Sequence, residues 1–212
     1  MESLQKIFDR AANRHGGEEA LREKLTHYYT ESHIPETGPD KSDDRWLAEF
    51  TKRVFQAGFS WKVVDAKWDG FEEAFWGFNP ARCARLDLDD MEALTADKRI
   101  IRNPQKIKSV TANAEMIMGM AAQKGSADAF IRGWPTEDYT GLLDYLNKHG
   151  SRLGANTASY ALRFSGVPSY ILSKDVTAAL IHAGVIDKAP TSKAAKKAVQ
   201  EAFNVWGAQS DE

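Results

Sequence analysis

The chain has 212 residues, 42% hydrophobic and 27% charged, with a formal net charge of -2, which is enough apolar material for one sizeable domain or two small lobes. Its one cysteine, Cys83, excludes an internal disulfide and a cysteine-rich zinc site. No charge-free apolar run approaches bilayer length, and residues 1–6 lack the apolar core of a secretory signal, so a soluble, cytoplasmic protein is expected.

Helical periodicity runs through the chain. Leu4, Ile7, Phe8 and Ala11 share one face of a first predicted helix, and residues 18–30 read as a second. A Pro- and Gly-containing loop follows at 34–39. Asp43 or Asp44 then caps a helix carrying Trp46, Leu47, Phe50, Val54 and Phe55. Asp69 is expected to cap a short helix with Phe71, Phe75 and Trp76 inward, and Asn79-Pro80 to break the chain. Residues 87–94 form a short acidic helix. Asn103-Pro104 opens a long one, because asparagine suits the N-cap and proline the first helical position; its apolar face is Ile107, Val110, Ala114, Ile117 and Met118. Thr136 or Glu137 starts a helix that ends near Leu146, and a turn over 149–154 leads into a helix over 156–164. Ser173 starts a helix over 176–182, and Thr191 starts the last, which runs to Trp206.

Strand alternation is absent, so the fold class is all-α. Short, unequal helices favour two lobes around a cleft over a simple bundle. The lobes would comprise about 1–35 with 175–212, and 36–174, within a single domain.

The turn before residue 156 has chemical potential. A glycine-containing helical hairpin can aim backbone amides at a phosphate with no net positive charge, which would reconcile DNA binding with an acidic chain. Arg152, Leu153, Gly154, Asn156 and Thr157 are the candidate contacts. The same residues also suit an ordinary helical hairpin.

Three motifs carry a family resemblance. They are Gln56-Ala57-Gly58-Phe59-Ser60-Trp61; Ile100-Ile101-Arg102-Asn103 with Lys106-Ile107 and Asn113-Ala114; and Gly154 with Thr157-Ala158. Together they resemble the DNA-3-methyladenine glycosylase I family of the helix-hairpin-helix glycosylases. The resemblance implies a two-lobed helix-hairpin-helix glycosylase fold. It also implies a monofunctional enzyme that everts an alkylated purine, 3-methyladenine by analogy, from duplex DNA and hydrolyses its N-glycosidic bond.

Within that resemblance Trp61 stacks on the base, and Gln56, Ser60, Arg53, Tyr28 and Tyr29 line the pocket. An anion must steady the oxocarbenium character that builds on the sugar, and Asp175 and Glu49 are the candidates. Asp175 equally suits a helix cap. Asn156 stands where bifunctional members carry a lysine, so no strand cleavage is expected. Arg102 and Lys106 are placed near DNA or on a solvated helix start.

The chain departs from the pattern at three points. Arg53, eight residues before Trp61, replaces the family's base-recognising glutamate. Arg152 replaces the first glycine of the hairpin. The family's two-cysteine, two-histidine zinc site has no counterpart, so no metal or cofactor is expected; the final helix would hold the ends by burying Val199, Phe203 and Trp206. The expected partner is damaged double-stranded DNA, bound by a monomer. A non-catalytic lesion binder on the same fold and an all-α protein-interaction module are the alternatives.

Overall fold

The computed structural model describes residues 1–32, 38, 40–154 and 156–210. Among the described residues there is no strand. The helices in chain order are α1 (Leu4–His15), α2 (Glu18–Ser32), α3 (Asp43–Gln56), α4 (Trp61–Asp65), α5 (Trp68–Ala74), α6 (Pro80–Cys83), α7 (Leu88–Ala96), α8 (Pro104–Lys124), α9 (Ala127–Arg132), α10 (Tyr139–His149), α11 (Thr157–Phe164), α12 (Lys174–His182) and α13 (Lys193–Gly207). No helix among the described residues is long and apolar enough to cross a membrane.

The chain divides into two compact units, one of residues 1–36, 135–140 and 170–212, the other of residues 37–134 and 141–169. The core of the first unit gathers Leu180, Ala183, Ile186, Val199, Ala202 and Trp206, with Leu4, Ile7, Tyr170 and Phe203 packed against it. The Trp206 indole donates to the Glu2 carbonyl at 3.0 Å, and the Leu4 amide to Gln209 Oε1 at 3.1 Å. Amino- and carboxyl-terminal helices are therefore joined by apolar burial and hydrogen bonds.

The second unit is organised on α3, which packs against α8, α9 and α11. Trp46, Leu47, Phe50 and Phe55 are fully buried along it, each contributing about 1.5–3 kcal/mol of transfer free energy. Trp46 Nε1 donates to Asp128 Oδ1 at 2.9 Å, and the Asp43 carboxylate accepts the Ala127 amide at 2.8 Å, so both ends of this contact with α9 are satisfied. The start of α8 is as expected: the Asn103 side chain accepts the Lys106 amide at 3.1 Å, and Pro104 takes the first helical position.

Local readings are corrected at several points. Asp69 lies inside the first turn of α5, whose cap position is Lys67. Asn79-Pro80 starts α6 instead of breaking the chain, with Asn79 as a capping side chain. Trp76 is 41% exposed, because Trp76, Gly77 and Phe78 all adopt positive φ (51°, 63° and 57°) and this reversal takes Trp76 off the helical face. Met118 is also exposed, unlike Ile107, Val110, Ala114 and Ile117. The last helix is capped by Ser192, not Thr191. α4 and α9 are helices that periodicity did not reveal, being only 5 and 6 residues long.

Candidate active site

The last two turns of α3 place Glu49, Arg53 and Gln56 on one face, as spacings of four and three require. Arg53 Nε donates to Glu49 Oε1 at 2.6 Å, and Nη1 to Gln56 Oε1 at 2.6 Å. Lys41 Nζ lies 3.6 Å from Glu49 Oε2 and donates to Ser165 Oγ at 2.9 Å. Both Glu49 oxygens thus face cations. Arg53 and Gln56 are buried.

An aromatic wall adjoins this cluster. The Arg53 guanidinium carbon is 4.0 Å from the Phe164 ring centroid and 5.4 Å from that of Trp61. Trp61 meets Tyr160 and Phe164 edge-on, both at 5.7 Å between centroids. The indole is 41% exposed, so it is not sealed in the interior. Tyr160 and Phe164 are not among the site residues expected from the sequence. They are one helical turn apart on α11, immediately after the hairpin, and that aromatic pair at i and i+4 was the signal available.

Two cations and one carboxylate leave the cluster net positive. Burial pushes the Lys41 ammonium below its ordinary value; Glu49 opposes the shift, while Arg53 and Arg132 add to it. Among the described residues, the buried side-chain polar atoms with no partner are Thr51 Oγ1 and Ser169 Oγ. Arg53 Nη2 is not sealed in this way, yet it bonds to nothing among the described residues.

The Lys106 expectation is corrected. Lys106 is buried, and its ammonium donates to the Val54 carbonyl and, at 3.5 Å, to the Phe55 carbonyl. It ties off the carboxyl end of α3, where helix carbonyls have no intrahelical donor. That tie fixes the bend at 57–60 from which Trp61 projects. Arg102 is exposed.

The turn between α10 and α11 is anchored from α8. Asn113, fully buried, accepts the Ser151 amide at 2.7 Å and donates to the Ser151 carbonyl at 3.2 Å. Gly150 is required here, since a Cβ would lie 2.8 Å from the Leu146 carbonyl oxygen and 2.9 Å from Asn113 Oδ1. Arg152 is exposed, has a φ of 62° and donates to Gln105. Thus the residue in place of the family glycine adopts the left-handed backbone that glycine favours. Leu153 is buried, so it can offer a ligand only its peptide. The Thr157 amide is already donated to the Gly154 carbonyl at 3.1 Å. Asn156 occupies the cap position of α11 without a side-chain cap bond.

The remaining expected residues are placed as follows. Ser60 is exposed at the start of α4, where its carbonyl accepts the amides of Val63 and Val64. Tyr28 is exposed on α2, in the first unit; the side chain of Tyr29 lies outside the described residues. Asp175 also belongs to the first unit and is exposed in the first turn of α12. It does not cap that helix: Ser173 does, accepting the Val176 amide at 3.1 Å. A zinc site of the kind the resemblance implies does not fit these residues. Cys83 is buried with its thiol directed at the Phe75 carbonyl, and no group of three potential ligands occurs among the described residues.

Residues 22–158, which span the α3 cluster, Trp61 and the anchored turn, match the model of the family described as methyladenine glycosylase. The chain belongs to the methyladenine glycosylase family. Among curated proteins it is 32% identical over 93 residues to DNA-3-methyladenine glycosylase 1 of Escherichia coli, covering 43% of this chain and 50% of that protein. It is 30% identical over 93 residues to DNA-3-methyladenine glycosylase of Haemophilus influenzae, with the same coverage. The chain spans about half the length of the curated relatives it matches. A crystal structure of 3-methyladenine DNA glycosylase I superposes with a TM-score of 0.53 at 24% identity, covering 66% of this chain and 87% of that one. The enzyme of that name from Staphylococcus aureus gives a TM-score of 0.57 at 19% identity, covering 68% and 88%. These structures share the all-α fold of this family member.

Proposed function

We propose that this protein is a monofunctional DNA glycosylase that receives an everted, damaged purine against Trp61 and hydrolyses its N-glycosidic bond. The observation that carries the reading is the pairing of an exposed indole with a buried polar cluster. Trp61 offers a surface for stacking, and Arg53, held by Gln56 and Glu49, lies beside it to read a base edge. An enzyme that works on a base needs both elements once the base has left the helix.

The turn between α10 and α11 supplies the grip on duplex DNA, as a helix-hairpin-helix, through its backbone and Arg152. This contact requires no net positive charge on the chain. Water is the nucleophile, and a carboxylate steadies the sugar cation as the bond breaks. Of the two candidates, Glu49 is held by Arg53 and Lys41, whereas Asp175 has no partner among the described residues. Asn156 in place of a lysine supports base release without strand cleavage.

Incubation with duplexes that each carry one alkylated, deaminated or oxidised purine, followed by chromatography, tests this reading. Free base and an intact strand bearing an abasic site are expected. Trp61→Ala should slow release roughly ten- to hundred-fold, the worth of one aromatic stacking contact. Asp175→Asn and Glu49→Gln, compared under single turnover, identify the acting carboxylate. Tight lesion binding with no base released from any duplex would favour a non-catalytic binder, the reading that Arg53 in place of the family glutamate also supports.

A further inference from the structure

We propose that Arg53 makes the site selective for a neutral base presenting hydrogen-bond acceptors, such as a 6-oxopurine edge, and selective against a cationic N-alkylated purine. This assignment rests on the everted-base reading above and names the substrate class of the same site.

The first ground is occupancy. A cationic purine is a planar cation, and it is held by aromatic faces and by a carboxylate. Here the planar cation of Arg53 already lies 4.0 Å from the Phe164 centroid and 5.4 Å from the Trp61 centroid. Its ion pair with Glu49 is made at 2.6 Å. The protein's own side chain therefore already supplies the positive charge that these aromatic faces and Glu49 would otherwise draw from a cationic base, while the exposed part of the indole remains open for stacking.

Charge is the second ground. Lys41 and Arg53 outnumber Glu49, and all three have side chains no more than 20% exposed. A second cation entering this region meets repulsion that water screens poorly. No other titratable group of α3 joins the cluster, and Arg132, the other cation that lowers Lys41, is itself paired with Asp128 at 3.0 Å.

The third ground is hydrogen-bond polarity. Glu49 Oε1 and Gln56 Oε1 each accept from Arg53, and Glu49 Oε2 faces Lys41. The acceptors are thus committed, whereas Arg53 Nη2 retains donors that bond to nothing among the described residues. A guanidinium edge with free donors complements a carbonyl oxygen and an unsubstituted ring nitrogen side by side, the pattern that arginine reads on guanine. It does not complement an amino group or an alkylated nitrogen.

The test measures binding first and release second. Anisotropy titrations of the full chain compare three duplexes of one sequence: undamaged, with a single hypoxanthine, and with a single 7-methylguanine on a 2′-fluoro sugar, which is cationic and slow to depurinate. The wild type is expected to bind the hypoxanthine duplex about ten-fold tighter than the cationic one, the worth of one charge-assisted hydrogen bond. Arg53→Glu should reverse the order, and Arg53→Lys, which keeps the charge and loses the fork, should lose the hypoxanthine preference while still disfavouring the cation. Circular dichroism checks that each variant is folded. Wild-type binding that favours the cationic duplex, or that ranks all three equally, overturns the assignment whether or not the variants fold. Base release from the corresponding 2′-deoxy duplexes is scored separately. A hypoxanthine preference without release sinks the hydrolase reading and leaves the specificity of Arg53 standing, whereas rapid release of cationic bases with no hypoxanthine preference does the reverse.

Discussion

The Asn113 carboxamide grips the Ser151 peptide from both sides, accepting its amide at 2.7 Å and donating to its carbonyl at 3.2 Å. The motif residue Asn113, on α8, is thereby bonded to a turn 38 positions later in the chain. Asn113→Ala leaves two backbone groups without a partner, at a cost of about 1–3 kcal/mol. Urea denaturation should show that loss. Affinity for undamaged duplex should fall with it, while the surroundings of Trp61, which lie on α3 and α11, stay unchanged. A variant as stable as the parent would show that water replaces the carboxamide.

Arg152 carries a φ of 62° at an exposed position. Left-handed backbone costs an L-residue about 1–2 kcal/mol, part of which glycine gives back through its freer unfolded chain. Arg152→Gly should therefore raise stability by about 0.5–1 kcal/mol. Its DNA affinity should nevertheless fall, and the salt dependence should weaken by about one counterion. Opposite signs in the two measurements would separate backbone strain from phosphate contact; a fall in both would show that the Gln105 hydrogen bond outweighs the strain.

Burial, with a smaller push from Arg152, sets the Lys106 ammonium below its ordinary value of 10.5. A lysine whose pKa is lower folded than unfolded binds fewer protons in the native state within that window. Its contribution to stability therefore improves as pH rises through the folded pKa towards 10.5. Lys106→Met removes the donor to the α3 carbonyls and should cost about 1–3 kcal/mol near neutral pH. Denaturation of parent and variant between neutral and alkaline pH should show the gap widening in favour of the parent. A gap independent of pH would mean that Lys106 titrates as it does in the unfolded chain.

Cys83 is fully buried, and burial pushes its thiol up to about 12 despite the opposing charge of Arg82. The thiolate is the reactive form. A disulfide reagent at mildly alkaline pH should label the native protein slowly and the urea-unfolded protein at once. Fast labelling of the native form would reveal local opening around α6.

Much of the fold was legible because local chemistry decided it. Asn103 and Pro104 announce α8, and Ser173 announces α12, through side-chain geometry that depends on neighbours three residues away. Trp76 was misread because periodicity assumes a continuing helix, and three consecutive residues of positive φ interrupt it. In the candidate site, Trp61 and Gln56 stand in one short motif, and the oddity of Arg53 follows from its spacing to that motif. Lys106 could not be read this way. A lysine in the first turn of a helix is ordinarily solvated, and its burial depends on carbonyls 51 and 52 residues earlier that only the tertiary fold brings near. Phe164 reaches the α3 cluster from α11, and Lys41 lies just ahead of α3, outside the periodic pattern that marks that helix.

Lys106 and Asn113 are seven residues apart on one unbroken helix, so their attachments are about 10 Å apart along its axis. One clamps the end of α3, where Trp61 begins its bend; the other clamps the turn at Ser151. α8 thus acts as a measuring rod whose two jaws cannot drift independently. The turn and the bend that carries the indole are kept at a separation set by two helical turns of rigid backbone, and lengthening α8 by a single residue between the jaws would rotate one of them by roughly 100° and put them out of register.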